Sequence, residues 1–247
     1  MIVKTPEQLD NMRCACRICR NILRSLGQYI RAGVSTREIE EAAERLMENQ
    51  GVVSGFKGYR GYPGSLCISV NEEVVHGIPS PQKIFREGDI VSVDVGIIHR
   101  GFLGDCAETF PVGTVSAASQ KLLTATRTAL VKGIEKAVAG NRVGDISCAI
   151  QKHVESEGFS VVRDFAGHGI GTSLHENPEV PNFGCPGRGD LLEENMIIAI
   201  EPMVNEGAPW IRILSDGWTV ITQDGKRSCH FEDTVRVLPG AAELLTL

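Results

Sequence analysis

From Pro6 to about Gly27, apolar residues recur every three or four positions (Leu9, Met12, Cys16, Cys19, Leu23, Leu26), the spacing of a helix with one buried face. An Ala32-Gly33 break separates it from a second helical stretch, and the same order returns over 117–138 and beyond Ala139-Gly140. The two second helices also match in detail. Ala32-Gly33, Ile39, Ala42, Glu48 and Gly51 recur 107 residues later as Ala139-Gly140, Ile146, Ala149, Glu155 and Gly158, six identities in a window of twenty. Helices rich in Ala and Glu produce such matches by chance. The same offset, however, lays Ile90-Val91-Ser92-Val93-Asp94 on Ile197-Ile198-Ala199-Ile200-Glu201, two apolar strands that each end in an acid. An ancient duplication is therefore expected, with halves at about 1–113 and 114–247 and a pseudo-twofold arrangement that brings the two acids to a shared centre.

The other strand signals favour antiparallel pairing. A hairpin is expected from Val91–Val95 through His99-Arg100-Gly101 to Gly104–Phe110, with further strands at 210–214, 217–222 and 230–237. Asp216-Gly217 and Asp224-Gly225 supply turns. Helices with antiparallel strands make the class α+β. No Pro/Gly/Ser-rich linker divides the chain, so one domain over 1–247 is expected.

With 42% hydrophobic and 23% charged residues, the composition is that of a soluble globule, not of a disordered or fibrous chain. Lys+Arg 25 against Asp+Glu 31 leaves a net charge of -6, which argues against nucleic acid as a partner because such binding needs a clustered cationic excess. No apolar run approaches the roughly 18 residues of a membrane span, and the first residues lack the apolar core of a signal peptide, so a cytoplasmic protein away from membranes is expected. Eight irregularly spaced cysteines do not suggest a disulfide framework. Cys14-Ala15-Cys16-Arg17-Ile18-Cys19 looks like a metal cluster, yet it lies inside the helical pattern with no second thiol pair nearby. Packing or surface thiols are the expectation.

Five potential ligands stand in strand-like or turn settings: Asp94, Asp105, His168, Glu201 and Glu232. Carboxylates beside such apolar runs are costly to desolvate, and four of them together repel unless a cation compensates. Two divalent metals about 3.5–4 Å apart would remove that repulsion and generate a nucleophile at neutral pH. Four carboxylates and one imidazole suit Mn, Fe(II) or Co at least as well as Zn. Gly167-His168-Gly169-Ile170-Gly171 is read as a glycine-dense turn, without the Lys-Ser/Thr ending of a phosphate loop. His76 and His175 are expected in loops, as donors if they lie near the metals.

The blocks Gly61-Tyr62-Pro63-Gly64-Ser65-Leu66-Cys67-Ile68-Ser69-Val70-Asn71-Glu72, Val75-His76-Gly77-Ile78-Pro79, Gly101-Phe102-Leu103-Gly104-Asp105, Gly167-His168-Gly169-Ile170-Gly171, Ile200-Glu201-Pro202-Met203 and Phe231-Glu232-Asp233-Thr234 are similar, in register over essentially the whole chain, to those of bacterial type I methionine aminopeptidases. The resemblance implies the pita-bread fold and a dinuclear centre that removes the initiator methionine from nascent proteins and peptides when the second residue is small. It implies that Asp94 chelates one metal (Co, Mn, Fe or Zn), that His168 with Glu201 holds the other, and that Asp105 and Glu232 bridge them. In that family a metal-bridging hydroxide attacks the scissile carbonyl, with the residue at Glu201 also moving a proton. His76 and His175 match histidines that contact the scissile amide, and Tyr59, Tyr62, Cys67 and Trp218 match the methionine pocket. Asn71 and Ser228 match a monovalent-cation site. Nascent chains are the implied partner, with transient ribosome association and a monomeric state.

Three positions depart from the family. Leu174 replaces an expected aromatic, Arg60 lies between the pocket tyrosines, and His230 adds a titratable ring expected near the entrance. A prolidase of the same fold is the nearest rival, but such enzymes carry an N-terminal domain of over a hundred residues. A non-catalytic pita-bread binding module would have lost ligands that this chain keeps.

Overall fold

A computed structural model describes residues 1–247. The first half runs α1 (Pro6–Gly27), α2 (Thr36–Asn49), β1 (Val53–Ser54), a 3-10 turn (Tyr59–Gly61), β2 (Cys67–Val70), β3 (Glu73–Val75), β4 (Ile90–His99) and β5 (Phe102–Pro111). The second runs α3 (Ala117–Ile134), α4 (Val143–Ser156), β6 (Ser160–Val161), β7 (Ala166–Gly169), β8 (Glu176–Pro181), β9 (Ile197–Ile200) and β10 (Met203–Asn205). It closes with β11 (Ile211–Ile213), β12 (Val220–Thr222), β13 (Ser228–His230), β14 (Asp233–Arg236) and β15 (Glu243–Leu244). Two helices followed by antiparallel strands thus occur twice, in the α+β pita-bread architecture.

Local chemistry sets the helix ends. The Thr5 hydroxyl accepts from the Gln8 amide ahead of Pro6, and Ser35 with Glu38 forms a reciprocal cap on α2. Gly33 takes φ +88, the left-handed break seen in the sequence as Ala32-Gly33. The helix expected over 117–138 stops at Ile134, because Val138 leaves to bridge Leu238 and Asn141 Nδ2 donates to the Lys136 carbonyl.

All named strand pairs are antiparallel. One sheet has the order β1-β4-β2 with β5 on β4, and another the order β15-β14-β9-β7-β8. An isolated bridge between Ala107 and Glu232 joins them. Two corrections follow. Asp94 lies inside β4 and not at its end, since β4 continues to His99 to complete its ladder with β5. The strand expected over 230–237 breaks at Phe231-Glu232, because β13 pairs with β10 whereas β14 pairs with β9, so the chain crosses between sheets there.

Each helix pair covers its own core. Leu23, Ile39, Phe85 and Val93 pack in the first half, and Leu122, Ile146, Ile198 and Ile200 in the second. Gly104 lets α1 lie on β5, as a Cβ there would stand 2.5 Å from the Ala15 carbonyl oxygen. Cys16 and Cys19 are buried on the inner face of α1, where Cys19 Sγ donates to the Val95 carbonyl at 2.8 Å, and all eight cysteines are free thiols.

Candidate metal centre

A cavity of about 860 Å³ opens where the two sheets meet, and Asp94, Asp105, His168, Glu201 and Glu232 all line it. Register explains the convergence. Asp94 pairs with Ala107 and Gly96 with Asp105, so the two acids are diagonal neighbours on one face of the β4–β5 hairpin. The Ala107–Glu232 bridge then brings Glu232 beside Asp105. Across the junction, His168 pairs with Ala199 and Asp233 with Ile200, which places His168 and Glu232 on either side of Glu201.

Donor atoms of Asp105, His168 and Glu232 lie within 4.8 Å of one another. His168 Nε2 is 3.5 Å from Glu201 Oε1 and 4.0 Å from Asp105 Oδ2. His168 Nδ1 lies 3.0 Å from the Gly169 carbonyl; only a protonated Nδ1 can donate there, so the lone pair on Nε2 faces the carboxylates. The glycines around His168 do not form the expected turn. They are strand residues of β7, and a Cβ on Gly167 would sit 2.4 Å from the Ala199 oxygen, one on Gly169 2.2 Å from the Asn177 oxygen. Their smallness lets neighbouring backbone close around the histidine.

Electrostatics describes a site built for cations. Burial raises the Asp94 carboxyl to about 7. Burial first, then the neighbouring acids, holds Asp105 and Glu232 well above the usual carboxylate range, and burial with Asp94 does the same to Glu201. Burial lowers His168 to about 3. Asp94 Oδ1, Asp105 Oδ1 and Glu232 Oε1 are buried with no hydrogen-bond partner. Orphaned oxygens facing an imidazole lone pair fit divalent metals of the Mn, Fe, Co and Zn group, whose charge would restore the ionised carboxylates.

The walls carry the other candidates. Tyr62 and Cys67 are buried, and Trp218 stands edge-on to Tyr62 at 5.1 Å. The Tyr59 hydroxyl lies 2.7 Å from His175 Nδ1, and the His175 ring lies 4.2 Å from that of His168. His76 follows β3 with φ +59, a left-handed conformation uncommon outside glycine, and burial lowers it to about 4. Leu174 is buried beside the pocket, and Arg60 is exposed with its guanidinium 5.4 Å from the Tyr59 ring. The Ser228 amide donates to the Asn71 carbonyl, which brings these two together on the far side of the sheet junction.

His230 is not near the entrance. It is 2% exposed, and its Nε2 lies 3.7 Å from Glu201 Oε2, because β13 runs under the cavity before the crossing at Phe231. Phe56, Phe165 and Asn182 escaped the sequence reading. Phe56 and Phe165 line the cavity, Phe165 packing edge-on to His76 at 5.3 Å, and Asn182 Nδ2 donates to the Glu201 carbonyl. Single phenylalanines and an asparagine in a loop carry no signal that separates them from core and turn residues.

The sequence model of metallopeptidase family M24 matches residues 10–239. The methionine aminopeptidase of Clostridium perfringens is 50% identical over 247 residues, covering 100% of this chain and 99% of that protein. Methionine aminopeptidase 1 of Bacillus subtilis is 46% identical at the same coverage. The crystal structure of methionine aminopeptidase from Thermotoga maritima superimposes with a TM-score of 0.97 at 44% identity, covering 100% of this chain and 99% of that one. The prolidase of Pyrococcus furiosus shares the fold at a TM-score of 0.80 and 23% identity, but this chain covers only 65% of it. With a family match over nearly its whole length and relatives near half identity, the chain belongs to metallopeptidase family M24, among its methionine aminopeptidases.

Proposed function

We propose that this chain removes the N-terminal methionine from nascent proteins and peptides with a small second residue, through a centre held by Asp94, Asp105, His168, Glu201 and Glu232. The observation that carries the reading is five ligands lining one cavity, three of them with orphaned buried oxygens, beside the apolar side chains of Phe56, Tyr62, Leu174 and Trp218. The catalytic unit spans 1–247, with its pseudo-repeat halves meeting near 113. It works in the cytoplasm as a monomer that meets the ribosome only transiently.

Asp94 would hold one metal, His168 and Glu201 would hold the other, and Asp105 and Glu232 would be shared by both. Divalent cations supply Lewis acidity at the scissile carbonyl and make water nucleophilic at neutral pH. The chain's own residues do the rest. Tyr59, Tyr62, Cys67 and Trp218 seat the thioether, which gains from sulfur–aromatic contact. His76 and His175 approach the scissile amide, and a proton on His175 Nε2 stabilises the developing oxyanion. Glu201 carries a proton from the attacking water to the leaving nitrogen. Asn71 and Ser228 lie beside a monovalent-cation position.

The test is cleavage of Met-Gly-Met-Met against Met-Leu-Met-Met, before chelation, after chelation and after reloading with single metals. The first peptide should be cleaved much faster and only by metal-loaded protein. Equal cleavage of both peptides, or full activity without metal, would sink the proposal.

A further inference from the structure

We propose that His230 is a positioning residue for Glu201, donating from Nε2 to Glu201 Oε2; this inference rests on the aminopeptidase reading above. The two oxygens of the Glu201 carboxylate face two different imidazoles. Oε1 faces His168 Nε2 at 3.5 Å, and Oε2 faces His230 Nε2 at 3.7 Å. Those imidazoles are not equivalent. His168 has its Nδ1–H committed to the Gly169 carbonyl, so its Nε2 offers a lone pair. His230 Nε2 is buried without any hydrogen-bond partner, which is costly for a donor and leaves the Glu201 oxygen as the acceptor in front of it.

The backbone beneath His230 is held still. Thr109 Oγ1 donates to the His230 carbonyl at 2.7 Å and accepts from the His230 amide at 3.0 Å, while His230 pairs with Met203 across the β10–β13 ladder. The ring therefore enters the cavity wall from a fixed strand, and a few tenths of an ångström of carboxylate movement completes the hydrogen bond. With Oε2 held by His230, Oε1 keeps a defined direction toward the metal face of His168. Asn182 fixes the same residue from behind by donating to its main-chain carbonyl at 3.2 Å. Glu201 is thus oriented at two points, side chain and backbone, by His230 and Asn182, both outside the five-ligand set.

The competing role is a sixth metal ligand, which needs a lone pair on Nε2 and a proton on Nδ1. Nitrogen-15 NMR of histidine-labelled protein separates the two. Positioning requires the Nε2–H tautomer at His230; an Nδ1–H tautomer overturns the proposal. His230→Gln keeps an N–H donor and should retain kcat within about threefold, whereas His230→Leu should lose about 10–100-fold in kcat, as partners that orient a ligand do. KM should move less than about twofold, and calorimetry on the apo form of both variants should still count two metal equivalents. Loss of an equivalent, or wild-type kcat in His230→Leu at saturating metal, overturns the assignment. If His230→Leu does not fold, the tautomer of the wild-type ring still decides. A wild-type protein inactive on Met-Gly-Met-Met would remove the aminopeptidase reading while leaving the tautomer result to decide the His230–Glu201 hydrogen bond.

Discussion

The Tyr59 hydroxyl lies 2.7 Å from His175 Nδ1, and this contact decides which nitrogen of the ring faces the cavity as a donor. When the phenol donates to Nδ1, the proton of the neutral ring stays on Nε2. Tyr59→Phe should therefore lower kcat several-fold while leaving bound metal unchanged. Unchanged kcat in that variant would show that the hydroxyl does not set the tautomer.

Removing the two neighbouring histidines should give different losses although their rings lie 4.2 Å apart. His168→Ala should weaken one metal and regain part of its activity at high metal concentration. His175→Ala should keep both metals and lose roughly 10²–10³ in kcat with KM little changed. Recovery of the His175 variant by added metal would make it a ligand.

Asp216 orders the tryptophan of the pocket. It accepts from the Trp218 amide at 2.8 Å, the Thr219 amide at 2.9 Å and the Thr219 hydroxyl at 2.6 Å. Burial pushes its carboxyl up, but these bonds outweigh burial and leave it below the ordinary value. Because the folded pKa is the lower one, this stabilisation is present above the unfolded pKa and is lost as pH falls through the folded one. Asp216→Ala should raise KM for Met-Gly peptides. Its stability deficit, followed by thermal melts against pH, should be largest near neutrality and shrink in acid; a deficit that grows in acid contradicts the assignment.

Gly104→Ala places a methyl 2.5 Å from the Ala15 carbonyl oxygen, where helix backbone meets strand backbone. Overpacking of this kind costs about 1–3 kcal/mol, and the melting temperature should fall by roughly 2–4 °C for each kcal/mol in a chain of this size. A variant as stable as wild type would mean that α1 can shift without penalty.

Cys14, Cys16 and Cys19 should hold no metal. Replacing Cys14 with Ser and both Cys16 and Cys19 with Ala leaves bound metal at the wild-type count, with some loss of stability because the last two are fully buried. A lower zinc content in the triple variant would overturn this.

Much of this protein was written in local pattern. Helix spacing placed α1 and α3 within a few residues, and the Ala-Gly breaks marked where α2 and α4 follow, since a buried face every 3.6 residues is a property of neighbours in the chain. The β4–β5 hairpin was legible for the same reason, and the ordered blocks around His76, Asp105, His168, Glu201 and Glu232 carried the family. What local pattern could not express was the crossing at Phe231-Glu232, where one apolar run serves two sheets, or that the glycines beside His168 make room for the backbone of Ala199 and Asn177 on the two neighbouring strands. His230 shows the difference most clearly. Alternation along a strand says which face a side chain takes, whereas the identity of the group opposite depends on a partner segment that only the folded chain brings within 3.7 Å.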